Sequence, residues 1–176
     1  MATTTRERDH VDRFLESIRD VLPMLDPEVE GLVDRIGGLS RRFSRFLDET
    51  LAEFKLDNAE WKLLGFLARR PDAATPGKLA RMMELSSGAM TNRLDRLEEA
   101  GLVRRRPDPA DRRGIQVELT DEGRRVYEES VGVQARKEAL VAAALSDAEK
   151  KELNALLRQL MLEFERMEGG PTPDDC

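Results

Sequence analysis

The stretch from Ser86 to Thr120 limits the possible fold of this chain more than any other part of it. It begins with a serine that can cap a helix and continues as a polar run to Gly101. Two short β-prone runs, LVRRR and IQVELT, follow, separated by the turn-rich segment PDPADRRG. This order predicts a helix, a strand, a charged turn and a second strand, as in a winged helix. Such a unit can place its helix in the major groove of DNA and its hairpin tip in the neighbouring minor groove.

Two short helices are predicted immediately before this stretch. Asp57 and Glu60 form a capping-box pair that opens the first helix, and a proline stops it. Thr75 followed by Pro76 opens the second helix, and a short turn then leads to Ser86. Helix, short turn and helix follow in the order and size of a helix-turn-helix, so these segments together predict a winged helix-turn-helix domain.

Long amphipathic helices are predicted on both sides of that domain. Apolar residues at helical spacing indicate one helix over residues 6–22, and Asp26-Pro27 opens a second helix of about thirty residues with a weak point at Gly37-Gly38. Thr120 opens a further helix, and a capping box at Ser146 opens the last one. The long second helix is expected to bury Val29, Leu32, Val33, Ile36, Leu39, Phe43, Phe46, Leu47, Leu51 and Phe54.

The predicted fold class is therefore mainly α with a small β-hairpin wing. The predicted divisions are residues 6–56 for the added helix and a dimerisation helix, 57–120 for the winged helix-turn-helix DNA-binding domain, 121–167 for C-terminal dimerisation helices, and 168–176 for a disordered tail. Because the flanking helices carry more apolar surface than the winged domain can cover, we expect them to join two copies about a two-fold axis; a monomeric helical bundle is the alternative. Paired recognition helices would then read the half-sites of a palindrome about 34–36 Å apart.

The composition argues against an enzyme and against a membrane protein. The chain has one histidine, His10, and one cysteine, Cys176, which leaves no histidine-based triad inside the fold and no His/Cys zinc site. No glycine-rich phosphate loop is present, so we expect no cofactor. No apolar run approaches the roughly 20 residues that span a bilayer, and the charged N-terminus is unlike a signal peptide. We therefore expect a cytoplasmic protein.

The charge distribution favours DNA as a partner. Five arginines and two aspartates lie between Gly101 and Gly114, a local charge of +3 in a chain whose net charge is −6. A basic segment on an acidic body suits a protein that approaches DNA with one face.

Residues in the helix after Ser86 and in the charged turn are the candidates for contact with DNA. Met90, Leu94 and Leu97 mark the buried face of the helix, so the opposite, small and polar face is left for base edges and phosphates. Arginines in the turn suit a narrow minor groove. The predicted DNA-binding residues are Ser87, Gly88, Thr91, Asn92, Arg93, Arg96, Asp111, Arg112 and Arg113. The alternative is a winged helix that binds protein without specific DNA binding.

Residues 29–167 resemble the MarR family of winged helix-turn-helix transcriptional regulators, above all in SSGAMTNRLDRLEEAGLVRR and DPADRRGIQVELTDEG. The resemblance implies a homodimer that represses a neighbouring gene and leaves its operator when a small anionic or phenolic ligand binds. It also implies that Arg113 is the wing arginine and that Asp111 positions it.

The added N-terminal helix is similar to that of a urate-responsive subgroup of the family. In that subgroup a tryptophan and an aspartate help to bind the ligand; here Phe14 and Lys62 stand at those positions, and the arginine of the TNR motif is kept as Arg93. A lysine in place of an aspartate makes the site more cationic. This departure from the subgroup favours a carboxylate effector such as citrate or aconitate, with urate or a phenolic acid as the alternative.

Overall fold

Seven helices and one β-hairpin make up the part of the chain that the computed structural model describes, which is residues 7–70, 74–109 and 114–169. The elements are α1 (His10–Ile18), α2 (Pro27–Glu53), α3 (Asn58–Arg69), α4 (Pro76–Met82), α5 (Ser87–Glu99), β1 (Val103–Pro107), β2 (Ile115–Leu119), α6 (Asp121–Ala142) and α7 (Asp147–Glu168). The mainly α fold with a small hairpin is confirmed. The chain divides into two compact units, Met1–Phe46 and Leu47–Cys176; the predicted four-part division stays a prediction.

Local capping determines where most helices of the second unit begin. At the start of α3, Asp57 accepts a hydrogen bond from the Glu60 amide at 2.7 Å, and the Glu60 carboxylate accepts one from the Asp57 amide at 2.9 Å. Thr75, Ser86 and Thr120 cap α4, α5 and α6 with side-chain oxygens that accept from the amide three residues later, without the reciprocal bond. These caps satisfy amides that a helix leaves without partners, and they confirm the predicted starts.

The core of the second unit lies under α5 and the hairpin. Met90, Leu94 and Leu97 of α5 are fully buried, as their spacing predicted. They pack in one cluster with side chains of α3, α4 and both strands, including Leu63, Leu64, Leu79, Val103 and Val117. This packing fixes one face of α5 and leaves its opposite face in solvent.

The hairpin is antiparallel, with Arg105 opposite Val117 and Arg104 opposite Glu118. Ala74, just before α4, adds a single bridge to β2: its amide donates to the Val117 carbonyl at 3.3 Å, and the Val117 amide donates to the Ala74 carbonyl at 2.9 Å. No local pattern in the sequence indicated this bridge. It attaches the wing to the start of the helix-turn-helix.

A glycine in the first turn of α6 allows that helix to lie against the chain that leaves α5. A Cβ atom placed on Gly123 would come within 2.0 Å of the Leu102 carbonyl oxygen. The Thr120 hydroxyl lies 2.7 Å from the Gly101 carbonyl and 3.1 Å from the Leu102 carbonyl, and it accepts from the Gly123 amide at 2.9 Å. These contacts fix the start of α6 beside the end of α5.

In the first unit, α1 is shorter than the predicted helix over residues 6–22. It begins after Asp9, which caps it together with Asp12, and it ends at Ile18, before the turns that lead to Pro23. The apolar pattern continues to Leu22, but the chain there forms turns and that side chain is exposed, so spacing alone overestimated the length. Arg35 of α2 holds α1 through Asp9 at 3.0 Å and Asp12 at 2.6 Å.

Helix α2 agrees with its prediction in length and differs from it in burial. It runs through Gly37 and Gly38 without a break, and Arg42 donates to the Gly38 carbonyl at 2.9 Å. Only its C-terminal end is buried as expected, at Leu51. The remaining expected core residues are exposed or half-buried in a single chain: Val29, Leu32, Val33, Ile36 and Leu39 are exposed, and Phe43, Phe46, Leu47 and Phe54 are half-buried.

Candidate nucleic-acid interface

The first two turns of α5 present a small, polar and exposed surface. The Ser86 hydroxyl accepts from the Ala89 amide at 3.2 Å, and the Thr91 hydroxyl donates to the Ser87 carbonyl at 2.9 Å. A Cβ atom on Gly88 would meet no other atom within 4 Å. The structure brings the predicted residues Ser87, Gly88, Thr91 and Asn92 together on this exposed surface. Such a helix start can accept a phosphate and approach base edges closely.

Arg93 and Arg96 connect α5 to the start of α3. Arg93 Nη1 lies 2.5 Å from one Asp57 oxygen and 2.7 Å from the other, and its side chain is only 18% exposed. Arg96 is 60% exposed and pairs with Glu60 at 2.9 Å and Asp57 at 3.5 Å. Arg93 Nε is buried without a hydrogen-bond partner among the described residues, so Asp57 carries the charge compensation of this guanidinium.

The charge state of Asp57 reflects this pairing. Partial burial would raise the pKa of its carboxyl, but hydrogen bonds from Arg93 and from the Glu60 amide lower the pKa below the ordinary value of 3.8. The sequence identified Asp57 only as a helix cap. The second role depends on Arg93, which lies 36 residues further along the chain and left no local signal.

Arg105 of β1 ties the wing to α5. Its amide donates to Glu98 at 2.9 Å, and its Nη1 lies 2.6 Å from Glu98 and 2.7 Å from Asp95. Burial would lower the pKa of the Arg105 guanidinium, but the hydrogen bonds to Asp95 and Glu98 raise it. Arg105 is therefore charged, and its charge is balanced within the protein.

The other two arginines of β1 share one acidic partner. Glu118 Oε2 lies 2.9 Å from Arg104 Nε and 3.2 Å from Arg106 Nε. All three arginines of β1 thus pair with Asp95, Glu98 or Glu118. These acidic residues lie outside the segment from Gly101 to Gly114 whose charges were summed from the sequence. The basic character of the wing is consequently smaller than the local sequence indicated.

The tip of the wing lies outside the described residues. Asp111, Arg112 and Arg113 belong to that segment, so their roles stay predictions. On the near side of the tip, the Asp108 amide donates to the Gly114 carbonyl at 2.9 Å, which continues the hairpin beyond β1 and β2.

Helix α4 carries two cations that the sequence analysis did not single out. Lys78 and Arg81 are three residues apart and exposed, whereas Leu79 and Ala80 between them are buried. Within the described ranges neither cation has an acidic partner, in contrast to the arginines of α5 and β1. Residues at i and i+3 lie on the same face of a helix, so this spacing could have indicated from the sequence that Lys78 and Arg81 share an exposed face.

The three predicted ligand-binding residues lie on different helices. Phe14 is on α1 in the first unit and is exposed. Lys62 is on α3 in the second unit, exposed, and has no acidic partner in the described part of the chain. Arg93 is occupied by Asp57. Beside Lys62, the Trp61 indole donates to the Ser130 hydroxyl at 2.9 Å.

The described residues offer neither a metal-binding cluster nor a membrane-spanning helix. They contain no group of three or more histidine, cysteine, aspartate or glutamate side chains that could hold a metal ion. In the same ranges, every helix is too short or too polar to cross a bilayer.

Known proteins share both the sequence pattern and the fold. Residues 54–114 match the model of the MarR family. The transcriptional regulator PecS of Dickeya dadantii is 33% identical over 149 residues, which is 84% of this chain and 90% of that protein. The multiple antibiotic resistance protein MarR of Escherichia coli is 34% identical over 91 residues, 52% of this chain and 62% of that protein.

Solved structures agree with this assignment. The crystal structure of ligand-free MarR from E. coli superposes on this chain with a TM-score of 0.62 at 29% sequence identity. The match covers 73% of this chain and 95% of the MarR chain. A mutant of the Staphylococcus aureus regulator MepR bound to an oligodeoxyribonucleotide has a TM-score of 0.63 at 22% identity, covering 76% and 97%. With a capped recognition helix, a paired hairpin and a relative similar over most of both sequences, the chain belongs to the MarR family of transcriptional regulators.

Proposed function

We propose that this regulator is a repressor that binds a palindromic duplex operator as a homodimer and is released by a small anionic ligand. The observation that carries the proposal is the exposed, small and polar start of α5, held beside a hairpin by Arg105. An exposed helix start next to a wing is the geometry with which winged helices enter adjacent DNA grooves.

In this proposal Ser87, Gly88, Thr91 and Asn92 contact base edges or nearby phosphates. Arg112 and Arg113, with Asp111, act at the wing tip. Lys78 and Arg81 of α4 bind phosphate, because they are exposed and lack acidic partners among the described residues. Arg93 and Arg96 mainly hold α5 in place, since both are engaged by Asp57. The oligonucleotide bound to the MepR mutant supports duplex DNA as the partner.

The proposed homodimer rests on apolar surface that a single chain leaves in solvent. Large apolar residues are exposed on the first half of α2, and no residue of α7 is buried. The exposed apolar residues of α7 are Leu153, Leu156, Leu160, Met161, Leu162, Phe164 and Met167. A run of this extent marks a protein contact on a soluble chain, and two-fold pairing would place two recognition helices on one face of DNA.

The proposed effector is a carboxylate such as citrate or aconitate, bound with the help of Lys62 and Arg93; the role of Phe14 stays a prediction. Lys62 is an exposed cation without an acidic partner in the described ranges, and Arg93 already binds a carboxylate, that of Asp57. An anionic ligand would exchange with Asp57 for the guanidinium and so act on α5 directly. Urate or a phenolic acid is the alternative ligand.

One observation favours a second candidate function. Because Arg104, Arg105 and Arg106 are each paired with a carboxylate of the same chain, a wing that binds protein without specific DNA binding is the second candidate. The two candidates differ in how binding depends on salt, because counterion release makes DNA affinity fall steeply as salt rises.

The test is fluorescence anisotropy with duplexes that tile the region upstream of the gene, any imperfect palindrome in it included, measured over a salt series. We expect Lys78→Gln and Arg81→Gln each to reduce the slope of log affinity against log salt by about 0.9. Lys151→Gln, an exposed lysine of α7, serves as the matched control and should leave the slope unchanged. If the affinity for duplex DNA depends on neither the salt concentration nor the DNA sequence, the DNA-binding proposal is overturned and the protein-interaction module is favoured.

The effector is tested in the same assay by titration with citrate, aconitate, urate and salicylate. We expect saturable loss of operator affinity with the tricarboxylates, and we expect Lys62→Gln to weaken that response without changing affinity in the absence of ligand. A saturable response to urate alone would overturn the carboxylate assignment.

A further inference from the structure

Glu118 occupies an unusual position in the hairpin because a single carboxylate oxygen serves two arginines. Its Oε2 lies 2.9 Å from Arg104 Nε and 3.2 Å from Arg106 Nε. Arg104 is directly opposite Glu118 in the antiparallel register, and Arg106 is its diagonal neighbour. Both arginine side chains are 51% exposed, whereas the Glu118 side chain is 29% exposed.

The three side chains lie on the outer face of the wing. Successive residues of a strand point to opposite sides of a sheet, and Val103 and Arg105 point inward, towards the core and α5. Arg104, Arg106 and Glu118 therefore point away from α5 and into solvent. Each arginine uses only Nε for Glu118, so in the described part of the chain its Nη groups stay available to a further acceptor.

We propose that Glu118 is a built-in counter-ion that competes with DNA phosphate for Arg104 and Arg106 and thereby lowers the affinity of the wing for non-specific DNA. This inference rests on the proposed DNA-binding function. Non-specific binding is almost wholly electrostatic, so a fixed negative charge between two arginines weakens it directly. Base contacts hold an operator in one register on the protein, whereas non-specific DNA can shift until its phosphates lie against Arg104 and Arg106, so the penalty is larger for non-specific DNA. Glu118 therefore raises the ratio of specific to non-specific affinity.

A purely structural role for Glu118 makes a different prediction. Exposed ion pairs contribute little to stability, and a cross-strand pair contributes about as little. If Glu118 only joined the two strands, its removal would slightly weaken the hairpin and leave the salt dependence of DNA binding unchanged. Salt dependence separates the two roles because it reports the phosphates bound by protein cations.

The experiment compares the full-length wild type with Glu118→Gln, which keeps size and hydrogen bonding but removes the charge. Anisotropy is measured with an operator duplex and with a scrambled duplex of equal length over a salt series. For the scrambled duplex we expect Glu118→Gln to bind several-fold more tightly at low salt, with a slope steeper by about 1 to 2. Operator affinity should rise less, so the specificity ratio falls.

Two further variants assign the effect to the arginines and guard against misfolding. Adding Arg104→Gln and Arg106→Gln to Glu118→Gln should remove the gain. Glu118→Asp keeps the charge on a shorter side chain that draws back from the diagonal Arg106, and its affinity for the scrambled duplex should lie between those of the wild type and Glu118→Gln. It replaces Glu118→Gln as the test if circular dichroism shows that Glu118→Gln does not fold. An unchanged slope in folded Glu118→Gln, or in folded Glu118→Asp where only that variant folds, overturns the role of Glu118. A wild type without salt-dependent duplex binding instead overturns the proposed function.

Discussion

Arg93 Nη1 binds both carboxylate oxygens of Asp57, so the residue that caps α3 also holds the recognition helix α5. One side chain thereby determines both where α3 begins and how α5 is held against it. Helices α3 (Asn58–Arg69) and α5 (Ser87–Glu99) both contribute side chains to the hydrophobic core. The ion pair between Asp57 and Arg93 links the two helices further.

Replacement of Asp57 separates its two roles. Asparagine still caps a helix, so Asp57→Asn should remove only the ion pairs with Arg93 and Arg96 and cost about 1 kcal/mol, a value reduced for the solvent exposure of these pairs. Asp57→Ala also loses the cap and should cost about 1 kcal/mol more. Urea denaturation at pH 7 measures both differences, and equal losses for the two variants would contradict the division.

The same pair predicts a pH dependence. Because the pKa of Asp57 is lowered below 3.8 in the folded protein, its contribution is complete above pH 3.8 and is lost as pH falls through the lowered pKa. The stability difference between the wild type and Asp57→Asn should therefore shrink only below pH 3.8. A difference that vanished already near neutral pH would exclude the ion pair as its source.

Arg105 should influence DNA affinity without contributing to its salt dependence. Its charge is balanced by Asp95 and Glu98, and its role is to hold the wing against α5. Arg105→Gln should weaken operator binding about 10-fold or more through loss of wing orientation, while the slope against log salt stays within about 0.5 of wild type. A slope reduced by about 0.9 would show instead that Arg105 binds phosphate.

Two glycines of α6 should respond oppositely to alanine. Gly123→Ala would place Cβ 2.0 Å from the Leu102 carbonyl oxygen, a contact with backbone that cannot move without shifting the strand. We expect a loss of about 3 kcal/mol or more in the free energy of unfolding. Gly132→Ala meets only Arg136, at 3.6 Å, and should stabilise the helix by about 0.5–1 kcal/mol. Thermal melts of the two variants provide the comparison, and similar Tm changes would argue against the close approach.

The attachment of α1 to α2 should be sensitive to strong acid. The backbone hydrogen bond at Asp12 and the pairing with Arg35 lower the pKa of Asp9 to about 2. Its contribution is complete above 3.8 and is lost as pH falls towards about 2. Amide hydrogen exchange in residues 10–18 should accelerate over that window beyond the intrinsic rate, and in Asp9→Asn it should already be fast at pH 7. Asp20→Asn, an exposed aspartate beyond the end of α1, serves as the control.

A charge on the apolar side of α7 should dissociate the proposed homodimer. Leu156 is 53% exposed in a single chain, and Leu156→Glu would bury an unpaired carboxylate in an interface. Sedimentation equilibrium should show that the dimerisation affinity of the variant is at least about 100-fold lower than that of the wild type. Lys151→Glu on the same helix should leave the assembly intact. A wild type that is monomeric at micromolar concentration would contradict the dimer itself.

The sequence predicted those parts of the fold that depend on neighbours along the chain. Capping residues such as Ser86 and Thr120 act on amides within three positions, and the spacing of Met90, Leu94 and Leu97 identifies a buried face without reference to other elements. The predicted exposed residues of α5 followed from that face by geometry alone.

What the sequence could not provide was the partner of each charge. Arg93 pairs with Asp57 across 36 positions, and the arginines of β1 find their acids on α5 and β2, which only the folded chain brings near. The local charge of the wing was overestimated for this reason. The end of α1 was misplaced because apolar spacing continued into turns. The apolar side of α2 was expected to be buried, but spacing does not say whether the same chain covers it.

Trp61 is the only tryptophan of the chain, and its indole donates to the Ser130 hydroxyl while its ring lies 5.8 Å from that of Tyr127. It therefore sits where α3, which carries the Asp57 anchor of the recognition helix, meets α6. Any rearrangement that slides these two helices past one another must change the hydrogen bond and the polarity around this indole. The protein thus contains an intrinsic fluorophore at the α3–α6 contact, and its emission offers a label-free test of the proposed binding of an operator and of an effector.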